Sequence, residues 1–408
     1  MKEKRFVIIL ILSLVICCAA VFGIKAAAWT INAATNTYSG TQGNIGGANA
    51  TDVSSGALTT LIDTTDLFSE RDLEQTVDTT SAKKIELTSG QNTTISEDGT
   101  YVISGNAENS SIIIDADKES KVQLVLDNLT IKNTDTPAIY VKKSDKVFVN
   151  INGSNSLAVT GSFTADGETN LDAVIFSKSD IVFNGTGSLV ISSTDNGISG
   201  KDDIKITGGS YGITVKSDAV EAHDSIRISD GEFTINAGKD AFHSEYDEND
   251  AVGYIYVCGG TFDITAGSDG FQGTTYTIID GGIINISAGE GLEATGVQIN
   301  DGLITINSSD DGINAARKST LFDPFIEVNG GTTTVNMAKG DTDAFDSNGT
   351  IIINGGTIDI NAQSAFDYDY AGKINGGNVT INGTKISEMT TSNPGGGGSR
   401  GMGKNIRW

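Results

Sequence analysis

Nine short motifs of one form carry most of the reactive side chains in this sequence. They are Asp172-Ala-Val, Asn196-Gly-Ile, Asp218-Ala-Val, Asp240-Ala-Phe, Asp269-Gly-Phe, Glu290-Gly-Leu, Asp311-Gly-Ile, Asp343-Ala-Phe and Ser364-Ala-Phe. Seven begin with a carboxylate, and Glu221, Glu293, Asp346 and Asp367 each follow a motif's first residue by three positions. Carboxylates gathered on one edge raise one another's pKa or need a counter-cation. Calcium suits such an edge, because it takes about six to eight oxygen ligands from carboxylates, amide side chains and carbonyls. The candidate Ca2+ ligands are therefore Asp218, Glu221, Asp240, Asp269, Glu290, Glu293, Asp311, Asp343, Asp346 and Asp367. A turn-forming role competes with this, since Asp, Asn and Ser all hydrogen-bond the backbone at a corner. Asn196 and Ser364 fit the turn role; Glu221, Glu290 and Glu293 favour metal.

These motifs share an edge only if the chain stacks them. Their starts lie 24, 22, 22, 29, 21, 21, 32 and 21 residues apart, and the two long intervals hold insertions near 247–253 and 317–325. Each unit also carries an apolar-x-apolar strand ending in a Gly turn, such as Ile226-Arg-Ile-Ser-Asp-Gly, then a second alternating strand, such as Phe233-Thr-Ile. Strict alternation gives each strand one apolar and one polar face. A unit this short cannot bury its apolar face alone, so the units must pile up. The expected fold is all-β: a single-stranded right-handed parallel β-helix of about 22 residues per coil. Stacking would place Asn300, Asn329, Asn354 and Asn375 in an amide ladder at one corner, with Cys258 as a small structural residue in the same place. Less regular β sequence from Ile85 extends the stack towards the N-terminus. A short helix is expected over Asp63–Thr76, with Ser69 three residues before Asp72, covering the open end of the stack.

The remaining segments sort by composition. Residues 1–28 read as a signal peptide: Lys2, Lys4 and Arg5, then an apolar run from Phe6 to Ile24, then Ala26-Ala-Ala. An uncleaved anchor is the alternative. Residues 29–62 read as a flexible linker, 63–385 as the β domain and 386–408 as a Gly-rich tail. Without the leader the chain keeps 23 basic and 51 acidic residues, a net charge of −28. That charge excludes nucleic acid as a partner and makes anionic polymers dependent on an intervening cation. Cys258 is the one cysteine beyond the leader, so an intramolecular disulfide is excluded. The expected location is secreted or cell-surface-associated in a bacterium, as a monomer, with no membrane contact beyond the leader.

Several stretches resemble a family of secreted clostridial-type, calcium-bearing, carbohydrate-binding β-helix proteins that is pectate-lyase-like in fold. The resemblance rests on Leu67-Phe-Ser-Glu-Arg-Asp-Leu-Glu-Gln, Gly99-Thr-Tyr-Val-Ile-Ser-Gly, Val122-Gln-Leu-Val-Leu-Asp-Asn-Leu-Thr-Ile, Ala138-Ile-Tyr-Val and the acid-Gly/Ala-apolar motifs. It implies polysaccharide binding, with acidic sugars such as polygalacturonate as ligand, and structural calcium. Contacts to sugar are expected from an outward stripe of Lys205, Arg227 and Tyr256 and from Tyr368 and Tyr370, through ion pairs and ring stacking. Three functions stay open: a calcium-dependent binding module, a calcium-dependent pectate lyase, and a surface adhesin or scaffold with no sugar ligand. A lyase needs a Lys or Arg base, and neither Arg227 and Lys205 nor Arg317 and Lys318 lie inside the acidic motif. His243 reads as a corner residue, and no catalytic residue is assigned.

Overall fold

The computed structural model describes residues 61–390 apart from 65, 247 and 341. The expected leader (1–28), nearly all of the expected linker and the tail beyond 390 lie outside the described residues.

All regular structure among the described residues is β. Along most of the chain each strand pairs in parallel with the strand three places further on. Thus Asp203–Ile206 pairs with Ser225–Ile228, Ser210–Val215 with Glu232–Ala237, and Val220–Ala222 with Phe242–Ser244. Three strands therefore make one turn of the chain, and each turn lies on the last. A 12-stranded sheet holds one strand of each turn, here called the third face, and a 24-stranded sheet holds the others. At the C-terminal end Thr384–Ile386 folds back antiparallel on Asn378–Ile381, which covers part of the exposed strand edge.

Alternation drives this packing. In Glu232–Ala237 the residues Phe233, Ile235 and Ala237 are buried, while Glu232, Thr234 and Asn236 face out. Because register is kept from turn to turn, like side chains stack inside. The rings of Tyr211, Phe233 and Phe262 follow one another at 4.9 and 4.7 Å, and Phe242 lies 4.8 Å from Phe271. Truncating one of these rings to Ala would cost about 3–5 kcal/mol.

Two corners explain the Gly-rich turns and the asparagines. Gly231 and Gly260 have φ of 137° and 99°, values that L side chains rarely adopt. At the same corner Asn329 Nδ2 donates to Asn300 Oδ1, Asn354 to Asn329 and Asn375 to Asn354, each at 2.8 Å. The expected ladder is present, and Asp280 extends it by accepting from Asn300 at 2.6 Å. A second ladder, Asn307–Asn336–Asn361, was not anticipated.

The helix expected over Asp63–Thr76 is instead a set of turns over 66–73 followed by extended chain. The cap hydrogen bonds do form: Ser69 N donates to Asp72 Oδ2 at 2.9 Å and Asp72 N to Ser69 Oγ at 3.2 Å. Tertiary bonds then outcompete helical ones. Gln75 Nε2 donates to the Thr207 carbonyl at 2.9 Å, and its Oε1 accepts from Gly185 N at 2.9 Å. Asp72 pairs with Lys205 Nζ at 3.0 Å, and Leu67 packs with Tyr256 and Ile278. The segment is a strap along the side of the stack rather than a cover over its end.

Candidate functional site: an acidic ridge on the third face

The first residues of the repeated motifs do line one corner. Val220 pairs with Phe242 and Phe242 with Phe271, so the motifs' apolar residues point inward in file. The acids beside them are joined from turn to turn. Asn196 Oδ1 accepts from Asp218 N, Asp218 Oδ1 from Asp240 N, Asp240 Oδ1 from Asp269 N and Asp311 Oδ1 from Asp343 N, all at 2.9–3.0 Å. The turn role is therefore real, but it occupies one carboxylate oxygen and leaves the other. At Glu290 the pattern changes, and its N–H donates to the Ser268 carbonyl at 3.0 Å.

Beside this line runs an outward column in register: Ser199, Glu221, His243, Gln272, Glu293, Asn314, Asp346 and Asp367. Corner and column meet in two groups, Asp269 with Glu290 and Glu293, and Asp218 with Asp240 and His243. In each group one ligand atom per residue lies within 4.8 Å of the others.

The first group offers oxygen donors throughout. Burial, and then repulsion from neighbouring carboxylates, pushes Asp269 and Glu290 up to about 8. Asn314 Nδ2 donates to Glu290 Oε2 at 3.0 Å, and Lys318 Nζ pairs with Glu293 Oε2 at 2.8 Å. With its amide oriented to satisfy its neighbours, Gln272 donates to Asp269 Oδ2 at 2.8 Å and accepts from Lys318 at 3.1 Å. This donor set fits a hard divalent cation.

The second group includes an imidazole. His243 Nδ1 lies 3.8 Å from Asp218 Oδ2 and 3.5 Å from Asp240 Oδ2, and Nε2 lies 3.0 Å from Glu245 Oε2. Burial disfavours the charged ring, but the neighbouring carboxylates of Asp218, Glu245 and Asp240 outweigh it and raise His243 to about 10. Burial lifts Asp240 to about 6. In Asp218 burial is outweighed by His243 and the Asp240 N–H, which hold that carboxyl below the usual range.

The other expected ligands are placed differently. Glu221 turns to the preceding turn of the chain, accepting from Asn196 Nδ2 at 2.7 Å and Ser199 Oγ at 3.2 Å, with Lys201 at 3.5 Å. Asp343 accepts a short hydrogen bond from Ser364 Oγ. Asp346 is raised to about 7 by burial first and then by Asp311 and Asp367, so these acids form a third cluster further along.

The expected sugar-binding stripe needs correction. Lys205, Arg227 and Tyr256 do stack in register, but the strap covers two of them. Lys205 is buried against Asp72, and Tyr256 is buried beside Leu67 with its hydroxyl donating to Asp280 Oδ2 at 2.8 Å. Arg227 is held by Asp203 Oδ2 at 2.6 Å and lies over the Tyr254 ring. Tyr368 leans on the core, whereas Tyr370 is 62% exposed. Lys318, weighed from the sequence only as a base outside the acidic motif, reaches the ridge because its insertion folds back and Lys318 N and Ser319 N donate to Thr295 Oγ1 at 3.1 and 2.7 Å. The long interval that contains Lys318 was the one signal. His243 was seen but not placed among the acids, although its position three residues after Asp240 matches that of Glu293 after Glu290.

A family model described as carbohydrate-binding domain-containing protein matches residues 89–344, which include both groups on the ridge. The chain belongs to this carbohydrate-binding domain family. A member from Acetivibrio thermocellus, described in the same words, is 34% identical over 128 residues, which are 30% of this chain. The matched stretch spans 44% of that relative, less than half its length. Among solved structures, a polysaccharide lyase-like protein from C. thermocellum, crystallised as a gadolinium derivative, is 21% identical with a TM-score of 0.34. The match covers 74% of this chain and 95% of that one. Likeness of that degree fixes neither ligand nor activity in this member of the family.

Proposed function

We propose that the stack is a right-handed parallel β-helix that acts outside a bacterial cell as a calcium-dependent polysaccharide-binding domain, with acidic glycans of the polygalacturonate kind as its ligand class. Parallel strands joined by crossovers are almost always right-handed, and the leader-like first 28 residues support export. The observation that carries the functional reading is the convergence of Asp269, Glu290 and Glu293, half or more buried, on one edge of a carbohydrate-binding domain. These three would hold the ion. Calcium there supplies the positive charge that a strongly acidic chain lacks when it meets a polyuronate. Tyr370 remains as an exposed ring for sugar stacking.

Binding is favoured over cleavage by the state of the nearest amine. A lyase base needs a free lone pair near neutral pH, but Lys318 is ion-paired to Glu293 and Arg317 to Asp323 at 2.5 Å. The test is pull-down of the full chain on insoluble polygalacturonate, with calcium and with excess chelator, alongside absorbance of unsaturated product. Retention only with calcium and a flat absorbance trace are expected. Equal retention under both conditions would sink the calcium reading, and rising absorbance would establish the lyase.

A further inference from the structure

We infer that Asp218, Asp240 and His243 form a second metal site, distinct in chemistry from the all-oxygen group, which takes a borderline divalent transition ion of the Zn2+ or Co2+ class. The inference goes beyond the calcium reading and does not depend on it. Imidazole nitrogen is a ligand for such ions and rarely for calcium.

Three observations support it. First, His243 Nδ1 is buried and makes no hydrogen bond among the described residues. Second, its distances of 3.5 and 3.8 Å to the Asp240 and Asp218 oxygens are too long for hydrogen bonds. They are close to the roughly 3.4 Å that separates ligands held at about 2.1 Å around a tetrahedral ion. Third, the far ring nitrogen faces Glu245 Oε2 at 3.0 Å. A carboxylate behind a histidine fixes the tautomer and aims the other nitrogen's lone pair at the metal, the usual support for a ligating imidazole. The scaffold is rigid as well, because Asp218 and Asp240 are 8% and 7% exposed and each holds the next turn's amide through Oδ1, leaving Oδ2 for the ion.

The test uses the untagged full chain, freed of metal with chelator and titrated with Co2+, whose tetrahedral complexes absorb in the visible. One ion per chain with a visible band is expected. His243→Gln should abolish the band and weaken Co2+ binding at least 100-fold. Glu245→Gln should retain the band with about 10-fold weaker binding. Asp269→Asn, which removes a proposed calcium ligand, should keep the visible Co2+ band, so loss of one site is distinguishable from loss of the other. Circular dichroism checks that each variant is folded. Co2+ binding that is absent in the wild type, or unaltered in folded His243→Gln, would overturn the inference. So would a His243→Gln variant that instead gains a calcium ion, since the imidazolium would then be the ridge's own counter-ion.

Discussion

Replacing Glu290 by Gln should make the metal-free protein more stable at neutral pH, the reverse of what removing a hydrogen-bonded, half-buried side chain usually does. Burial, with Glu293 and Asp269 nearby, raises Glu290 from 4.5 to about 8. A carboxyl raised on folding binds its proton more tightly in the folded state, so stability is greatest below the unfolded value and falls as pH rises from about 4.5 through 8. At pH 7 the cost for this one group is about 3 kcal/mol, from ~1.4 kcal/mol per unit. Asp269 is raised to about 8 partly by the same neighbours, so the two costs overlap rather than add. Gln keeps an acceptor for Asn314 and removes the charge. Thermal unfolding in chelator should give the variant a melting point roughly 6 °C above wild type at pH 8, where the cost reaches ~4 kcal/mol, with the two converging near pH 4.5. Calcium should raise the wild-type melting point and leave the variant's unmoved. A wild-type protein as stable as the variant at pH 8, with the same calcium shift in both, would show that the three carboxylates neither repel one another nor share an ion.

Other outcomes follow from the strap and the ladder. Asp72→Ala leaves Lys205 charged and buried, and should cost about 3–5 kcal/mol in urea unfolding, largely recovered by adding Lys205→Met. Tyr256→Ala should lower stability but leave polygalacturonate retention unchanged; loss of retention at a temperature where the variant is folded would restore the stripe as a sugar site. Asn329→Ala breaks two amide bonds at once and should cost about 1–3 kcal/mol, against a smaller loss for Asn375→Ala at the exposed end of the same ladder.

The turn-by-turn features were legible in the sequence because they are local and repeated. Alternation in segments such as Glu232–Ala237 determines which side chains go inside, and the constant spacing of Asn300, Asn329, Asn354 and Asn375 relative to their turns foretells the amide ladder. The acidic corner followed from the same spacing. What could not be read were contacts made once, between parts of the chain that share no period. Asp72 meets Lys205 across 133 residues, and that single pairing turns an apparently exposed stripe into an interior. Lys318 reaches Glu293 only because an insertion bends back on the ridge, and no repeat announces where an insertion will go. Glu221 resembles Glu293 in sequence position, yet Asn196, Ser199 and Lys201 bind it to the turn before.

The two insertions leave the stack at the same corner and touch one another. Asp250 Oδ2 accepts from Thr320 N and Thr320 Oγ1 at 2.8 and 2.7 Å, while the Phe322 ring stacks on Tyr276 at 4.8 Å. Where asparagine amides or carboxylate-to-amide bonds link successive turns, a residue added between them would break the link. This flank has already lengthened twice. A descendant of this protein could therefore remodel the bank beside its ridge, and with it the breadth of polymer it admits, without renegotiating a single turn of the scaffold.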